Sequence, residues 1–486
     1  MSRQTRREFL KSVSFSASLA IAPRFAFGEQ TAKKPNIIFI LTDDLGYGDL
    51  GCYGQEQIKT PNLDRMAAEG MRFTNHYAGS TVCAPSRCVL MTGRHTGHCY
   101  VRGNKGFGEG DLPLPEGTET VATALKGAGY STGLVGKWGL GGPGTSGIPN
   151  KQGFDYFFGY LSQVRAHNYY PTYLWRNEEK VPLKNEVVFS PDGYAKGLGS
   201  AAKKRVEYSH DLFAEDALKF IERNKDKPFF LYLALTIPHA NNEAHLVNRH
   251  GMEVPDYGIY KDKPWPEAQK GHAAMISRMD ADVGRLLAKL KELGIAKNTF
   301  VLFSSDNGTH KEGGAKPDFF KSSGPLRGIK RDLYEGGIRV PTIAYWPGTI
   351  KAGSVSDYIG GFQDFLPTCT ELAKAKTPDA IDGISMASTL LGDEARQKKH
   401  KFLYWEFHEG EKKQAVRMGD WKLLRFVRSG KVELYNLRDD LGETRDITKN
   451  HSEIVARLEK YLDEARTPSQ TFPMPELERL RGKLKP

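Results

Sequence analysis

Apolar residues run without polar interruption at 37–42, 132–135, 229–235 and 300–304. Each run is too short for a helix, and the lack of alternation is what a strand buried on both faces requires. Between these runs the period changes. Residues 61–69 have Thr60 as a cap, Pro61 in the first turn and Gly70 as a stop, the marks of a helix. Over 272–293, Ile276, Met279, Val283, Leu286, Leu287 and Leu290 recur at three- and four-residue spacing, which predicts one face of a long helix. Buried strands alternating with amphipathic helices predict an α/β sandwich whose large, mostly parallel central sheet lies between helices. In such sheets ligands bind at the carboxyl ends of the strands. Asp43-Asp44, Lys137, His239 and Asp306-Asn307 stand at those four ends in turn.

The pattern changes after a charged stretch at 392–401. Short strand-like runs at 402–405, 415–418, 421–424 and 432–435 have hairpin spacing, and a helix follows at 452–465. The expected organisation is a catalytic domain over 33–392, a small C-terminal antiparallel-sheet subdomain over 400–466, and a loosely attached tail over 467–486. There are no internal repeats and no low-complexity tracts.

With 486 residues, 39% hydrophobic and 26% charged, the chain falls in the ordinary globular class. The net charge of +11 invites a nucleic-acid reading, yet residues 1–28 hold five basic side chains against Glu8 alone, leaving +7 for the remainder. No basic block with interleaved aromatics accompanies that excess, so no nucleic-acid partner is expected. Arg6-Arg7 before a short, weakly apolar run at 12–22 reads instead as a twin-arginine signal over 1–28. It predicts a protein handed to the twin-arginine export machinery and delivered to the periplasm or beyond. No other run approaches the length of a membrane span. Five cysteines, an odd number at no metal-binding spacing, exclude a disulfide framework and leave at least one thiol unpaired.

Asp43, Asp44, Asp306 and Asn307 present only oxygen, which suits Ca²⁺ or Mg²⁺ and includes no soft ligand to select zinc. Singly, each pair reads equally well as a cap or a turn; their joint placement on two strand ends favours a metal centre. Cys83-Ala84-Pro85-Ser86-Arg87 puts a cysteine at the start of a helix that stops at Gly93. Free N–H groups and the positive end of the helix dipole favour an anion there. A buried structural cysteine is the plainer alternative.

Cys83-Ala84-Pro85-Ser86-Arg87 resembles the Cys-x-Pro-x-Arg signal of the type I sulfatases, within the alkaline phosphatase superfamily. Asp43-Asp44-Leu45-Gly46, Gly136-Lys137-Trp138, Pro238-His239, Asp306-Asn307-Gly308, and Lys330 with Tyr334-Glu335-Gly336-Gly337 follow in the family's order. Glu433-Leu434-Tyr435-Asn436-Leu437 is similar to its C-terminal signature, so the likeness spans about 34–447. The resemblance implies an alkaline-phosphatase-like fold and hydrolysis of sulfate monoesters. It implies that a formylglycine-generating enzyme oxidises Cys83 to formylglycine, whose hydrate is the nucleophile. One hydroxyl attacks sulfur; deprotonation of the second then expels sulfate. One Ca²⁺ per chain is implied, held by Asp43, Asp44, Asp306 and Asn307 and touching residue 83. Arg87 is implied to steady the hydrate, Lys137 and Lys330 to bind sulfate, and His239 to act as general acid for the leaving alcohol and to contact the substrate.

One motif departs from the family. Where Gly-Lys-Trp-His-Leu-Gly is usual, this chain has Gly136-Lys137-Trp138-Gly139-Leu140-Gly141. The missing histidine is a candidate base for the second hydroxyl. His310, three residues after Asn307, is expected to replace it, with His98 as second choice. Two rival functions remain: a phosphonate or phosphodiester hydrolase, against which the all-oxygen Asp306-Asn307 pair argues, and an inactive carbohydrate-binding homologue, favoured only by the missing histidine. His167-Asn168-Tyr169-Tyr170-Pro171, Trp175-Arg176-Asn177 and Trp405-Glu406-Phe407-His408 mix aromatic and polar side chains in a way that suits sugar rings, and ordinary packing explains them equally well. The expected substrate is a sulfated saccharide or other small molecule, desulfated at a chain end, with His167 among its contacts.

Overall fold

The computed structural model describes residues 33–192 and 195–480; the twin-arginine segment expected at 1–28 lies outside them. Ten strands form the main sheet. In chain order they are β1 (Asn36–Thr42), β2 (Met71–Phe73), β3 (Ser131–Lys137), β4 (Tyr156–Tyr160) and β5 (Tyr173–Arg176). They continue as β6 (Glu179–Pro182), β7 (Phe229–Ala234), β8 (Thr299–Ser305), β9 (Thr342–Tyr345) and β10 (Ser354–Ser356). Their spatial order is β10-β2-β9-β8-β1-β7-β3-β4-β5-β6.

The central strands β8, β1, β7, β3 and β4 are mutually parallel, and four of these five are the apolar runs of the sequence. Every residue of β1, β7 and β8 is buried, because helices cover both faces of the sheet. Ile38 and Ile40 of β1 point into one core with helices α1 (Pro61–Glu69), α4 (Ser209–Asn224) and α5 (Glu267–Glu292). Ile37, Phe39 and Leu41 point into the other, with α2 (Cys83–Thr92), α3 (Val121–Gly127) and α6 (Phe365–Leu372). The flanks of the sheet are antiparallel at β8–β9–β2 and β4–β5–β6. Those edge strands are three or four residues long and leave too few positions for a period to show.

The C-terminal sheet is antiparallel, in the order β11 (Leu403–Phe407), β12 (Lys413–Met418), β13 (Trp421–Phe426), β14 (Val432–Asn436). Helix α7 (Ser452–Glu464) covers one face through Leu458 and Leu462. The other face packs Trp405, Leu424 and Tyr435 against Tyr77 and Ile338 of the main body. Beside it, Lys422 Nζ lies 2.9 Å from both Glu335 and Glu443, with no exposed side-chain surface on any of the three. From Lys34 onward the chain forms one compact unit.

The tail is more firmly held than its composition suggested. Arg102 Nη1 donates to the Thr467 carbonyl at 2.9 Å, and Phe472, Met474 and Leu477 are buried. Among the described residues no helix is long and apolar enough to cross a membrane.

Candidate active site

Side chains of adjacent strand residues point to opposite faces, so Asp43 and Asp44 converge on one centre only if the chain leaves extended geometry after β1. Asp44 does so with φ 65°, a left-handed conformation that costs a non-glycine residue energy and is tolerated at functional sites. β8 lies in register beside β1, with Thr42 opposite Ser305, so Asp306 emerges next to Asp43. The Asp44 N–H donates to Asp306 Oδ1 at 3.2 Å, and Asn307 Nδ2 donates to Asp44 Oδ1 at 2.7 Å. That leaves Asn307 Oδ1 buried with no partner. Three carboxylates and this orphan carbonyl oxygen, all without exposed surface, make an oxygen-only donor set that fits a hard divalent cation such as calcium.

The charges around this set are opposed. Burial pushes the Asp306 carboxyl up to about 7, and the charge on Asp43 adds to the rise. Burial acts the same way on Asp43, yet the charges of Lys137 and Arg87 hold that carboxyl well below the usual range. A divalent cation at the centre would let all three carboxylates ionise together.

Cys83 is the first residue of α2, whose cap residue Val82 supplies no side-chain acceptor. Its thiol donates to Asp43 Oδ1 at 3.2 Å, and the Ala84 N–H is taken by Asn104 Oδ1. One helical turn on, Arg87 holds Asp306 Oδ2 at 2.8 Å through Nη2 and the Lys137 carbonyl at 2.6 Å through Nη1. Burial, reinforced by Asp306 and Asp43, raises the thiol far above its ordinary pKa. Residue 83 therefore has the placement of a nucleophile, while an unmodified thiol lacks the reactivity of one.

Two lysines face this centre. Lys137 ends β3 with Nζ 2.6 Å from Asp43 Oδ2. Lys330 Nζ lies 2.8 Å from Asp44 Oδ2, 3.1 Å from His239 Nε2 and 3.2 Å from Glu312 Oε2. Burial alone would lower both ammonium groups, but Asp43 and Asp44 keep them raised. The Lys330 loop is anchored to the Asp306-Asn307 loop where Gly308 meets Gly336. A Cβ on Gly308 would come within 1.8 Å of the Gly336 carbonyl oxygen, and one on Gly336 within 2.2 Å of the Gly328 carbonyl oxygen, which explains the glycines in both motifs.

His239 donates from Nδ1 to the Ala240 carbonyl at 2.7 Å, so Nε2 presents a lone pair to Lys330. Burial and the Lys330 charge push it down to about 3. The imidazole is neutral here, and the proton shared between the two side chains sits on Lys330. His310 stacks on His239 with ring centroids 6.0 Å apart, but both of its nitrogens are taken by main chain. Nε2 donates to the Pro238 carbonyl at 3.1 Å and Nδ1 accepts the Glu312 N–H at 3.0 Å. It offers residue 83 no free lone pair, which removes the basis for its expected role as a base. His98 fares no better: its Nδ1 lies 2.8 Å from Asp382 Oδ1, on a different cavity.

The site opens into a cavity of about 330 Å³. Cys83, Lys137, His239 and Lys330 line its deep end, and Arg331 and Glu409 stand at its rim. His167 joins the lining, stacked on His239 at 5.0 Å and paired with Glu243 Oε2 at 3.0 Å. None of the other aromatic residues expected at the substrate lines this cavity. Tyr169 OH donates to the Thr236 carbonyl, and Trp405 Nε1 donates to Ala78 O inside the C-terminal interface. The cavity also contains Asn104, Gln163, Glu312 and Glu409. These are single residues outside any motif, and nothing local marks them.

A family model described as Sulfatase matches residues 35–375, and one described as N-sulphoglucosamine sulphohydrolase, C-terminal, matches residues 329–468. The chain is similar to N-acetylgalactosamine-6-sulfatase of Sus scrofa, 32% identical over 461 residues that cover 90% of this chain and 81% of that one. It is 34% identical to arylsulfatase A of Homo sapiens over 418 residues, 82% and 76% of the two chains. The crystal structure of Ps i-CgsB in complex with k-i-k-neocarrahexaose aligns with a TM-score of 0.75 at 28% identity, covering 93% of this chain and 98% of that one. With these matches extending over most of its length, the chain belongs to the sulfatase family of the alkaline phosphatase superfamily and is a sulfuric ester hydrolase.

Proposed function

We infer that this enzyme removes sulfate from sulfated saccharides, using a formylglycine made from Cys83 and one calcium ion. The observation that supports this most directly is the position of Cys83 at a helix start, 3.2 Å from Asp43 and inside the oxygen cage, with its thiol kept protonated. Formylglycine at this position supplies, as its hydrate, an oxygen nucleophile where the thiol offers none. Calcium held by Asp43, Asp44, Asp306 and Asn307 supplies positive charge to the reacting oxygens.

The remaining roles fall to side chains of the chain itself. Lys137 and Lys330, both almost wholly buried, counter charge on the sulfate oxygens where little water screens it and such charges act most strongly. Arg87 holds the helix start against Asp306 and the Lys137 carbonyl. Lys330, backed by the neutral His239, is placed to give a proton to the leaving oxygen. A cavity of about 330 Å³ with a polar rim suits one terminal sugar. The relatives named for N-acetylgalactosamine 6-sulfate chemistry and for a neocarrahexaose complex support a saccharide. Export by the twin-arginine route belongs to the same proposal and rests on Arg6-Arg7 and the run that follows them.

Peptide mass spectrometry of residue 83, alongside sulfate-release assays over sulfated mono- and disaccharides, tests the proposal. Formylglycine at 83 and turnover of a sugar sulfate are expected. Fully active enzyme carrying only cysteine at 83 would overturn the nucleophile. Turnover of aryl sulfates with none of any sugar sulfate would overturn the saccharide.

A further inference from the structure

Gly139, which replaces the motif histidine, does not leave an open space. Its φ is +82°, and a Cβ there would lie 1.9 Å from Gln163 Nε2 and 2.6 Å from its Cδ. Gln163 occupies that volume. The main chain brings it there: Trp138 N–H donates to the Tyr160 carbonyl at 2.9 Å and Gly139 N–H to the Leu161 carbonyl at 3.1 Å, extending the β3–β4 pairing past the strand ends. Asp111 Oδ2 then accepts the Gln163 N–H at 2.7 Å and fixes the residue. Gln163 is one of the residues that line the cavity, together with Cys83, Lys137 and His239. The residue is only 5% exposed, yet neither Nε2 nor Oε1 has a partner.

A buried carboxamide with both ends unpaired is costly. A ligand in the cavity removes that cost, and the amide has two donors and one acceptor to offer it. Sulfate oxygens only accept, so they pair with the Nε2 end, which is the end lying over Gly139. Oε1 is left for a hydroxyl. We propose that Gln163 is a substrate-binding residue of this sulfatase, its Nε2–H groups hydrogen-bonding a sulfate oxygen in the volume where the motif histidine would stand. This rests on the sulfate-ester reading of the site. Because an amide does not titrate, its contribution stays constant with pH where an imidazole's would not.

The test uses calcium-loaded Cys83→Ser protein, which binds without turnover, titrated by calorimetry with sodium sulfate and with 4-nitrophenyl sulfate. Gln163→Leu in that background is expected to weaken both ligands about tenfold, the loss of a hydrogen bond to a charged acceptor, with an unchanged melting temperature. Gln163→Glu keeps the shape and adds an anion. It is expected to weaken binding further, and to recover as pH falls and the new carboxyl protonates, a dependence that a packing residue would not produce. Equal affinities in the Gln163 and Gln163→Leu proteins, or a Gln163→Glu affinity indifferent to pH, would overturn the proposal. Should Cys83→Ser with Gln163 intact bind neither ligand, the sulfate-ester reading itself falls, and this inference with it.

Discussion

Asp43, Asp44, Arg87, Asp306 and Asn307 at the floor of the cavity expose no surface, whereas the Arg331 and Glu409 side chains at its rim are 44% and 41% exposed. Both regions are built from ion pairs of similar length: Arg87 sits 2.8 Å from Asp306, and Arg331 3.1 Å from Glu409. Surroundings, more than distance, set what each pair is worth. A buried pair that loses one member leaves a charge that water cannot reach, whereas an exposed pair exchanges its partner for water at little cost. The floor can therefore hold reacting charge in a fixed geometry. The rim can give up its pairs to whatever ligand arrives.

Replacing a floor residue gives the largest expected effect. Asp306→Ala takes from Arg87 the nearer of its two carboxylate partners and removes a ligand of the proposed calcium site. It should abolish metal uptake, cut kcat more than about 1,000-fold and destabilise the fold by about 3 kcal/mol. Metal analysis, steady-state kinetics and denaturant unfolding measure the three, and retained metal with near-normal kcat would break the contrast between floor and rim. Lys330→Ala comes next, with kcat expected to fall about 100- to 1,000-fold while calcium stays bound. A loss confined to KM would move Lys330 from the chemistry to substrate holding.

At the rim, Glu409→Ala leaves Arg331 paired with Glu312 alone and should change KM only a few-fold, with stability altered by less than about 0.5 kcal/mol. An effect as large as that of Asp306→Ala would erase the distinction. The smallest effect is expected behind the cavity wall. Burial pushes the Asp111 carboxyl up to about 7, so the folded chain favours its protonated form. That contribution is fully present below the unfolded pKa of about 4 and is lost as pH rises towards 7. Asp111→Asn, which keeps an acceptor for the Gln163 N–H, should raise the melting temperature by about 2 °C at pH 8 and leave it unchanged at pH 4. A melting difference that does not vary with pH would show that the Asp111 pKa is not raised by folding.

The central strands were legible because β1, β7 and β8 are covered on both faces and so read as unbroken apolar runs. The flanking strands β2, β5, β6 and β9 were not, since segments of three or four residues carry no period. Of the site, the acids at the ends of β1 and β8, Lys137 and Cys83 at its helix start could be read from position along the chain, and Lys330 from the resemblance to the sulfatases. The surroundings of His310 could not. Its distance from Asn307 along the chain suggested a free base, and only the folded backbone, through the Pro238 carbonyl and the Glu312 N–H, takes up both of its nitrogens.

By itself, the sequence determined which strands lie at the centre of the sheet and which oxygens and amines meet at their ends. Strand periodicity and short motifs are local properties, and in a parallel sheet local strand ends fall side by side. Tertiary structure decided which lone pairs remain free. It left Asn307 Oδ1 unpartnered, tied down His310, and placed Gln163 over Gly139. Hydrogen bonds and contact distances between residues remote in the chain exist only once the sheet has assembled, so no local pattern could encode them.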